Sequence, residues 1–244
     1  SVTTQKLNLV AELNANDDPR EVTLTVTAVQ YPTVVETVVL TQSSGKVVLE
    51  EDFSWLAYGS PVFYTTTGET RIDNWTQEQH DMGWTSTINL VDGSGSTPLV
   101  YARQGFVKLG KTSYGGDLIS PPLSKLDGTQ DVTVTFKAIP YMTKAGTMDD
   151  NVLKVSVIGP GTVSQEQFII DNWPVYPEDE GTHTDYCIGM WSAPEATRTF
   201  TITGATAETQ IKFLGNDYDL RATVVTINKN RIFLDDIKVE IILP

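Results

Sequence analysis

The chain has 244 residues, with 17 Lys and Arg against 31 Asp and Glu and a formal charge of −14. That field repels phosphate backbones and no basic cluster interrupts it, so nucleic acid and anionic lipid are poor partners, while neutral ligands and divalent cations remain open. No run of about eighteen apolar residues occurs, which leaves no transmembrane segment in the sequence, and the single Cys187 excludes an internal disulfide or a C-x-x-C pair.

The chain opens SVTTQ, with neither an initiator Met nor a signal-like apolar segment, so a secretion signal or lipid anchor is expected upstream of Ser1. Residues 1–44 read as a separate piece. Strands are predicted over Leu7 to Leu13, Val22 to Val29 and Val35 to Gln42, joined by Asn14-Ala15-Asn16-Asp17-Asp18-Pro19-Arg20 and by Gln30-Tyr31-Pro32. Three strands with one apolar face bury too little to order such a length unaided, so this piece is expected either to dock on the larger C-terminal domain or to need strands from further upstream.

Residues 45–244 continue with a period of two. Val47-Val48-Leu49-Glu50-Glu51-Asp52-Phe53-Ser54-Trp55 opens as a strand. Further on, Val132, Val134, Phe136 and Ala138 alternate with Thr and Lys, as do Leu153, Val155 and Val157 with Lys and Ser. Phe200 with Ile202, and Ile211 with Phe213, repeat the pattern. Asp92-Gly93, Gly115-Gly116, Asp127-Gly128 and Gly159-Pro160-Gly161 punctuate the runs as turns. No long window keeps apolar residues at i, i+3, i+4 and i+7, so helix beyond a turn or two is not expected. The fold class is all-β: a β-sandwich jelly roll of residues 45–244, preceded by a partial immunoglobulin-like segment of residues 1–44.

The last strand, RIFLDDIKVEII, sets a problem. Simple alternation places Phe233, Asp235, Ile237, Val239 and Ile241 on one face and Asp236, Lys238 and Glu240 on the other. Asp235 then sits on the apolar side, where a carboxylate costs free energy unless it is hydrogen-bonded, paired, for instance with Arg231, or bound to a cation.

The pattern N-A-N-D-D-P-R-E-V-T-L-T-V-T followed by V-V-L-T-Q-S-S resembles the second half of the Bacteroidetes-associated carbohydrate-binding (BACON) domain, an immunoglobulin-like module. Residues 46–244 resemble the jelly-roll domains of secreted and surface proteins of Bacteroidetes, which are similar in shape to carbohydrate-binding modules and galactose-binding-like sandwiches. The resemblance rests on the opening strand, on Tyr114-Gly115-Gly116-Asp117-Leu118-Ile119-Ser120-Pro121-Pro122-Leu123, on the strand D-V-T-V-T-F-K-A and on the closing R-I-F-L-D-D-I-K-V. In calcium-bearing modules of this kind an acid from the first strand and one from the last help hold a structural Ca²⁺. The resemblance implies Glu51 and Asp235 for those places, with backbone carbonyls completing the shell.

Sugar recognition uses aromatic faces beside polar hydrogen bonders. The candidates are Trp75 and Trp84 in the polar segment 68–86, and Trp173, Tyr176, Tyr186 and Trp191 in the long segment 171–195. The alternative for each is that it plugs the end of its own sandwich, and Trp55, inside the opening strand region, reads as core. Enzyme signatures are thin. Gly93-Ser94-Gly95-Ser96 misses the G-x-S-x-G spacing. His183 and Cys187 stand four apart in what reads as a loop, a spacing that does not hold a nucleophile against its base there. With only His80 and His183, a zinc hydrolase lacks ligands.

The sequence therefore reads as a non-catalytic module of a secreted, outer-membrane or periplasmic bacterial protein that binds glycan or glycoprotein. The alternatives are a structural or adhesive protein without a small-ligand site, and a carbohydrate-active hydrolase with an unrecognised acid pair.

Overall fold

The computed structural model describes residues 9, 11, 14, 16, 20–28, 30–42, 45–93, 95–221 and 229–243. In chain order the strands are β1 (Arg20–Ala28), β2 (Tyr31–Gln42), β3 (Val47–Glu51), β4 (Thr70–Arg71), β5 (Ile88–Asn89), β6 (Thr97–Pro98), β7 (Val100–Ala102) and β8 (Val107–Leu109). They continue with β9 (Asp117–Ile119), β10 (Gln130–Pro140), β11 (Val152–Ile158), β12 (Thr162–Val163), β13 (Gln167–Ile169), β14 (Thr197–Ala205), β15 (Gln210–Leu214) and β16 (Ile232–Ile241). Among the described residues two α-helices, α1 (Gln77–His80) and α2 (His183–Met190), interrupt them. The chain divides into two compact units, Ser1–Val47 with Leu243–Pro244, and Val48–Ile242, where the sequence had suggested a boundary between residues 44 and 45.

In the first unit β1 and β2 pair antiparallel, with Val22 opposite Leu40 and Leu24 opposite Val38, while Thr23 faces Val39 and Thr25 faces Thr37 on the other side. Among the described residues the ribbon has two strands, and Val22 and Val38 stay 59% and 51% exposed. The strand β2 begins at Tyr31, inside what reads from sequence as the connection. The expected strand Leu7 to Leu13 falls largely outside the described residues.

The second unit is a sandwich, as the alternating pattern requires. One sheet of eight strands runs β12-β14-β10-β16-β8-β7-β4, with β3 also pairing β16, and the other runs β13-β11-β15-β9. Val132, Val134, Phe136 and Ala138 of β10 point inward and meet Leu153 and Val155 of β11 and Ile211 and Phe213 of β15 in one core. The ring of Phe136 lies 5.2 Å from Phe213 and 5.3 Å from Phe168, which ties the sheets together across the gap. Turn chemistry keeps the layers close. A Cβ on Gly116 would lie 2.1 Å from the Leu99 carbonyl oxygen, so only glycine passes there. Next to it, the fully buried Asp117 accepts from the Thr87 amide and hydroxyl and from the Tyr218 hydroxyl, each at 2.7 Å. The family-like segment around Gly115 is thus a structural junction.

A third layer covers part of the eight-stranded sheet's outer face. Phe63, Phe106, Ile139, Tyr141, Cys187, Trp191 and Phe233 form a second buried cluster, closed by α2 and the segment before it. Arg103, itself fully buried, donates through Nη2 to the carbonyls of Ser60 and Val62 at 2.8 Å and so pins the segment that carries Phe63.

The closing strand carries a β-bulge. Thr135 faces Lys238 and Lys137 faces Asp235, so two steps along β10 match three along β16. Asp236, the extra residue, adopts a left-handed backbone (φ 46°), which aspartate tolerates better than most side chains. The bulge re-phases the strand: Leu234 lies in the main core and so do Ile237, Val239 and Ile241, while Phe233 joins the outer cluster. Asp235, opposite the outward Lys137, therefore points to the outer face, and simple alternation misplaces it with Ile237. Two adjacent acids in an apolar strand mark the irregularity itself.

Candidate functional site

Among the described residues of the second unit, the outer cluster covers one end of the large sheet's outer face. At the other, a groove of about 670 Å³ opens over Thr135 and Lys137 of β10 and Asp236 and Lys238 of β16. Glu50, Glu51 and Asp52 border it at the end of β3, Thr197 lies at the start of β14, and Trp55 and Met82 also line it. All these residues belong to the second unit.

The turn after β3 places Trp55. The Glu51 carboxylate accepts from the Phe53 amide (2.7 Å) and the Trp55 indole (2.8 Å) through Oε1, and from the Trp84 indole (2.9 Å) through Oε2. Asp52 accepts from the Ser54 amide at 2.9 Å and thereby caps the same turn. Phe53 is forced into the left-handed region (φ 49°), an uncommon state for an aromatic residue that these bonds hold in place. Trp55 then stands edge-on to Trp75 at 5.5 Å, half-buried, with part of its indole on the groove. Met82, 46% exposed, follows α1. A Thr76–Gln79 capping box starts that helical turn, and Gln79 also accepts from the Tyr58 hydroxyl at 2.7 Å.

The groove's charges are arranged unevenly. Lys137 pairs with Asp236 at 2.6 Å and Lys238 with Glu240 at 3.2 Å. Among the described residues neither Glu50 nor Asp52 forms an ion pair with a Lys or Arg. The Ser54 amide holds the Asp52 carboxyl below its usual range. Asp235 behaves in the opposite way. Burial, helped by the nearby Asp236 and Asp52, pushes its carboxyl up from 3.8 to about 8, against the pull of the Asp236 amide and Lys137.

These contacts decide how the expected calcium pair fits. The Glu51 carboxylate already accepts from three N–H donors, two on Oε1 and one on Oε2. Among the described residues no three Asp, Glu, His or Cys side chains converge as metal ligands. A calcium shell anchored by Glu51 and Asp235 alone would have to draw its remaining oxygens from backbone carbonyls and water. The Asp235 carboxyl accepts from the Asp236 amide at 2.8 Å, and burial favours its protonated form. It does not pair with Arg231, whose guanidinium makes a bidentate bond to Asp149 at 2.6 and 2.8 Å.

The aromatic candidates do not converge on one surface. Trp84 (1% exposed) and Trp75 (5%) belong to the main core, and Trp191 (9%) to the outer cluster, so none of the three offers a ring face. Tyr176 and Tyr186 pack at the edge of the same outer cluster. Tyr176 donates to the Met142 carbonyl and stands edge-on to Tyr64 at 4.9 Å; Tyr186 accepts from the Val175 amide at 2.6 Å. Trp173 is half-buried on a tight turn from Asp171. Trp55, read as core from sequence, is the tryptophan that lines the groove.

His183 and Cys187 lie one turn apart on α2, where a loop was expected. The imidazole is spent on the Tyr64 hydroxyl (2.8 Å) and the Pro177 carbonyl (2.7 Å), and burial pushes the Cys187 thiol up to about 11. A buried neutral thiol beside a fully bonded histidine is packing, not a nucleophile with its base.

No protein-family model matches the chain, and no curated protein does. Among solved structures, the chain is similar to the CBM22-1 xylan-binding domain of Paenibacillus barcinonensis Xyn10C, at 12% identity and a TM-score of 0.37, over 82% of this chain and 97% of that one. The CBM22-1–GH10 modules of Clostridium thermocellum endo-1,4-β-D-xylanase 10B match at 8% identity and a TM-score of 0.35, over 81% of this chain and 29% of that one. The K3 cleaved adhesin domain of Lys-gingipain from Porphyromonas gingivalis matches at 14% identity and a TM-score of 0.33, over 80% and 99%. These values supply no residue correspondence. Among the described residues no helix is long and apolar enough to cross a membrane.

Proposed function

We propose that the second unit is a non-catalytic module that binds glycan, free or on a glycoprotein, in the groove over β10 and β16. One observation carries this reading: a concavity over β10 and β16 joins the partly buried indole of Trp55 to outward hydroxyl, ammonium and carboxylate groups on rigid strands. An aromatic face beside fixed hydrogen bonders suits a sugar ring, whose flat apolar side and hydroxyl rim need both. Strand-borne side chains supply them with little ordering cost. A secreted or envelope-attached setting, with the first unit as part of a BACON-like domain, belongs to the same proposal.

The test is titration calorimetry against a panel of soluble plant and bacterial polysaccharides, with Trp55→Ala beside the wild type. Binding to at least one polymer, lost in Trp55→Ala at unchanged circular dichroism, supports the reading. Equal binding by both proteins refutes it. A second reading, contact with another protein, rests on the β5–β6 hairpin, where Ile88 is 52% and Leu90 79% exposed. It gains if the panel fails and Leu90→Ser abolishes a protein contact.

A further inference from the structure

The groove's charge pattern goes a step beyond the presence of a glycan site. Resting on the reading of this groove as that site, we propose that it selects uncharged sugar chains and turns away those bearing uronate or sulfate groups. Its two lysines each already sit beside a carboxylate, Lys137 by Asp236 at 2.6 Å and Lys238 by Glu240 at 3.2 Å, so an incoming anion would have to share each ammonium with a resident acid. The exposed acids Glu50 and Asp52 at the rim have no Lys or Arg partner among the described residues. An anion seated against Trp55 would lie near both, in the field of a chain of net charge −14. The hydroxyls of Thr135 and Thr197, by contrast, ask for no charge in return.

The experiment uses matched polymers that differ in charge on one backbone: hydroxyethyl cellulose against carboxymethyl cellulose, and methyl-esterified against de-esterified polygalacturonan. Kd is measured for the full chain and for Glu50→Gln/Asp52→Asn, at about 20 and about 150 mM salt. For a pair whose neutral member binds, the charged member is expected to bind about tenfold more weakly at low salt. The gap narrows as screening shortens the field's reach to about 8 Å, and it narrows again in the double variant. A charged member that binds as tightly as its neutral partner, or more tightly, and loses that binding in Trp55→Ala, overturns the selectivity but leaves the groove in place. If no polymer of these pairs or of the wider polysaccharide panel binds, or Trp55→Ala binds as the wild type does, the groove reading fails and the selectivity with it.

Discussion

Asp235→Asn removes the acid that the bulge buries and leaves its shape. The amide oxygen can still accept from the Asp236 backbone N–H, a bond of 2.8 Å in the structure. In the folded chain this carboxyl is raised from 3.8 to about 8, chiefly by burial. The folded state thus holds the proton more tightly than the unfolded one. The stability gained from it is complete below about pH 4 and drains away as the pH climbs to about 8. At about 1.36 kcal/mol per pH unit, a gap of about 4 units amounts to some 6 kcal/mol above pH 8, an upper bound that relaxation and entering water reduce. Even about 2 kcal/mol of it corresponds to about 4–8 °C in the melting temperature of a domain this size. The assay is thermal unfolding followed by circular dichroism, for wild type and variant, at pH 5, 6.5 and 8 in the presence of a chelator. The variant is expected to melt above the wild type by a margin that is smallest at pH 5, where about a quarter of the difference has developed, and that grows through pH 6.5 to pH 8. A difference that stays constant across that range refutes the account. So does a wild type that gains stability from millimolar calcium at pH 8 when the variant does not, because a cation and not a proton would then balance the acid.

The other predictions concern the parts that hold the groove and the sandwich. Glu51→Gln has one acceptor oxygen for three N–H donors, so one buried donor is orphaned at about 1–3 kcal/mol. The melting temperature should fall, Trp emission should shift to the red, and glycan affinity should fall with it; unchanged emission would mean that Glu51 does not set Trp55. Gly116→Ala drives a methyl to 2.1 Å from a backbone oxygen and should cost more than about 4 kcal/mol, read as a lower urea midpoint or a loss of soluble expression. Asp149→Ala leaves the Arg231 guanidinium stranded above the Tyr141 ring at 3.4 Å, and should lower stability by about 3–5 kcal/mol in urea titration.

The sandwich was legible because its strands obey one rule. Val132, Val134 and Phe136 alternate with Thr, and the structure turns each of them inward. The covering layer was less so. The segment 171–195 shows no helical stripe, since α2 buries only His183 and Cys187 on one turn-spaced line and leaves Ile188 exposed. A line that narrow gives no periodic signal. The acids misled for a related reason. Alternation assumes an unbroken register, and the extra residue at Asp236 moved Asp235 from the core side to the outer one. Trp55, inside the opening strand region, reads as core, and it does pack against the main core while its exposed part lines the groove. The turn that swings it onto the groove depends on Glu51 accepting from a backbone amide two residues on, and no periodicity records such a contact.

The place where the covering layer stops can nevertheless be read from the outward residues of two neighbouring strands. On β10 they change from Thr135 and Lys137 to Ile139, and on β16 from Lys238 to Phe233, at the same level of the sheet. Apolar outward positions demand a roof, which Trp191, Phe63 and Phe106 provide. Polar ones tolerate water and need none. The bulge lies at that border and lets one strand serve both conditions: Ile237 and Val239 remain in the core while Asp236 meets Lys137 outside. Had β16 run without the extra residue, keeping Leu234 inward would have put Ile237 and Val239 on the open face and Asp236 and Lys238 in the core. The groove and the sandwich core therefore depend on the same irregular step in the closing strand.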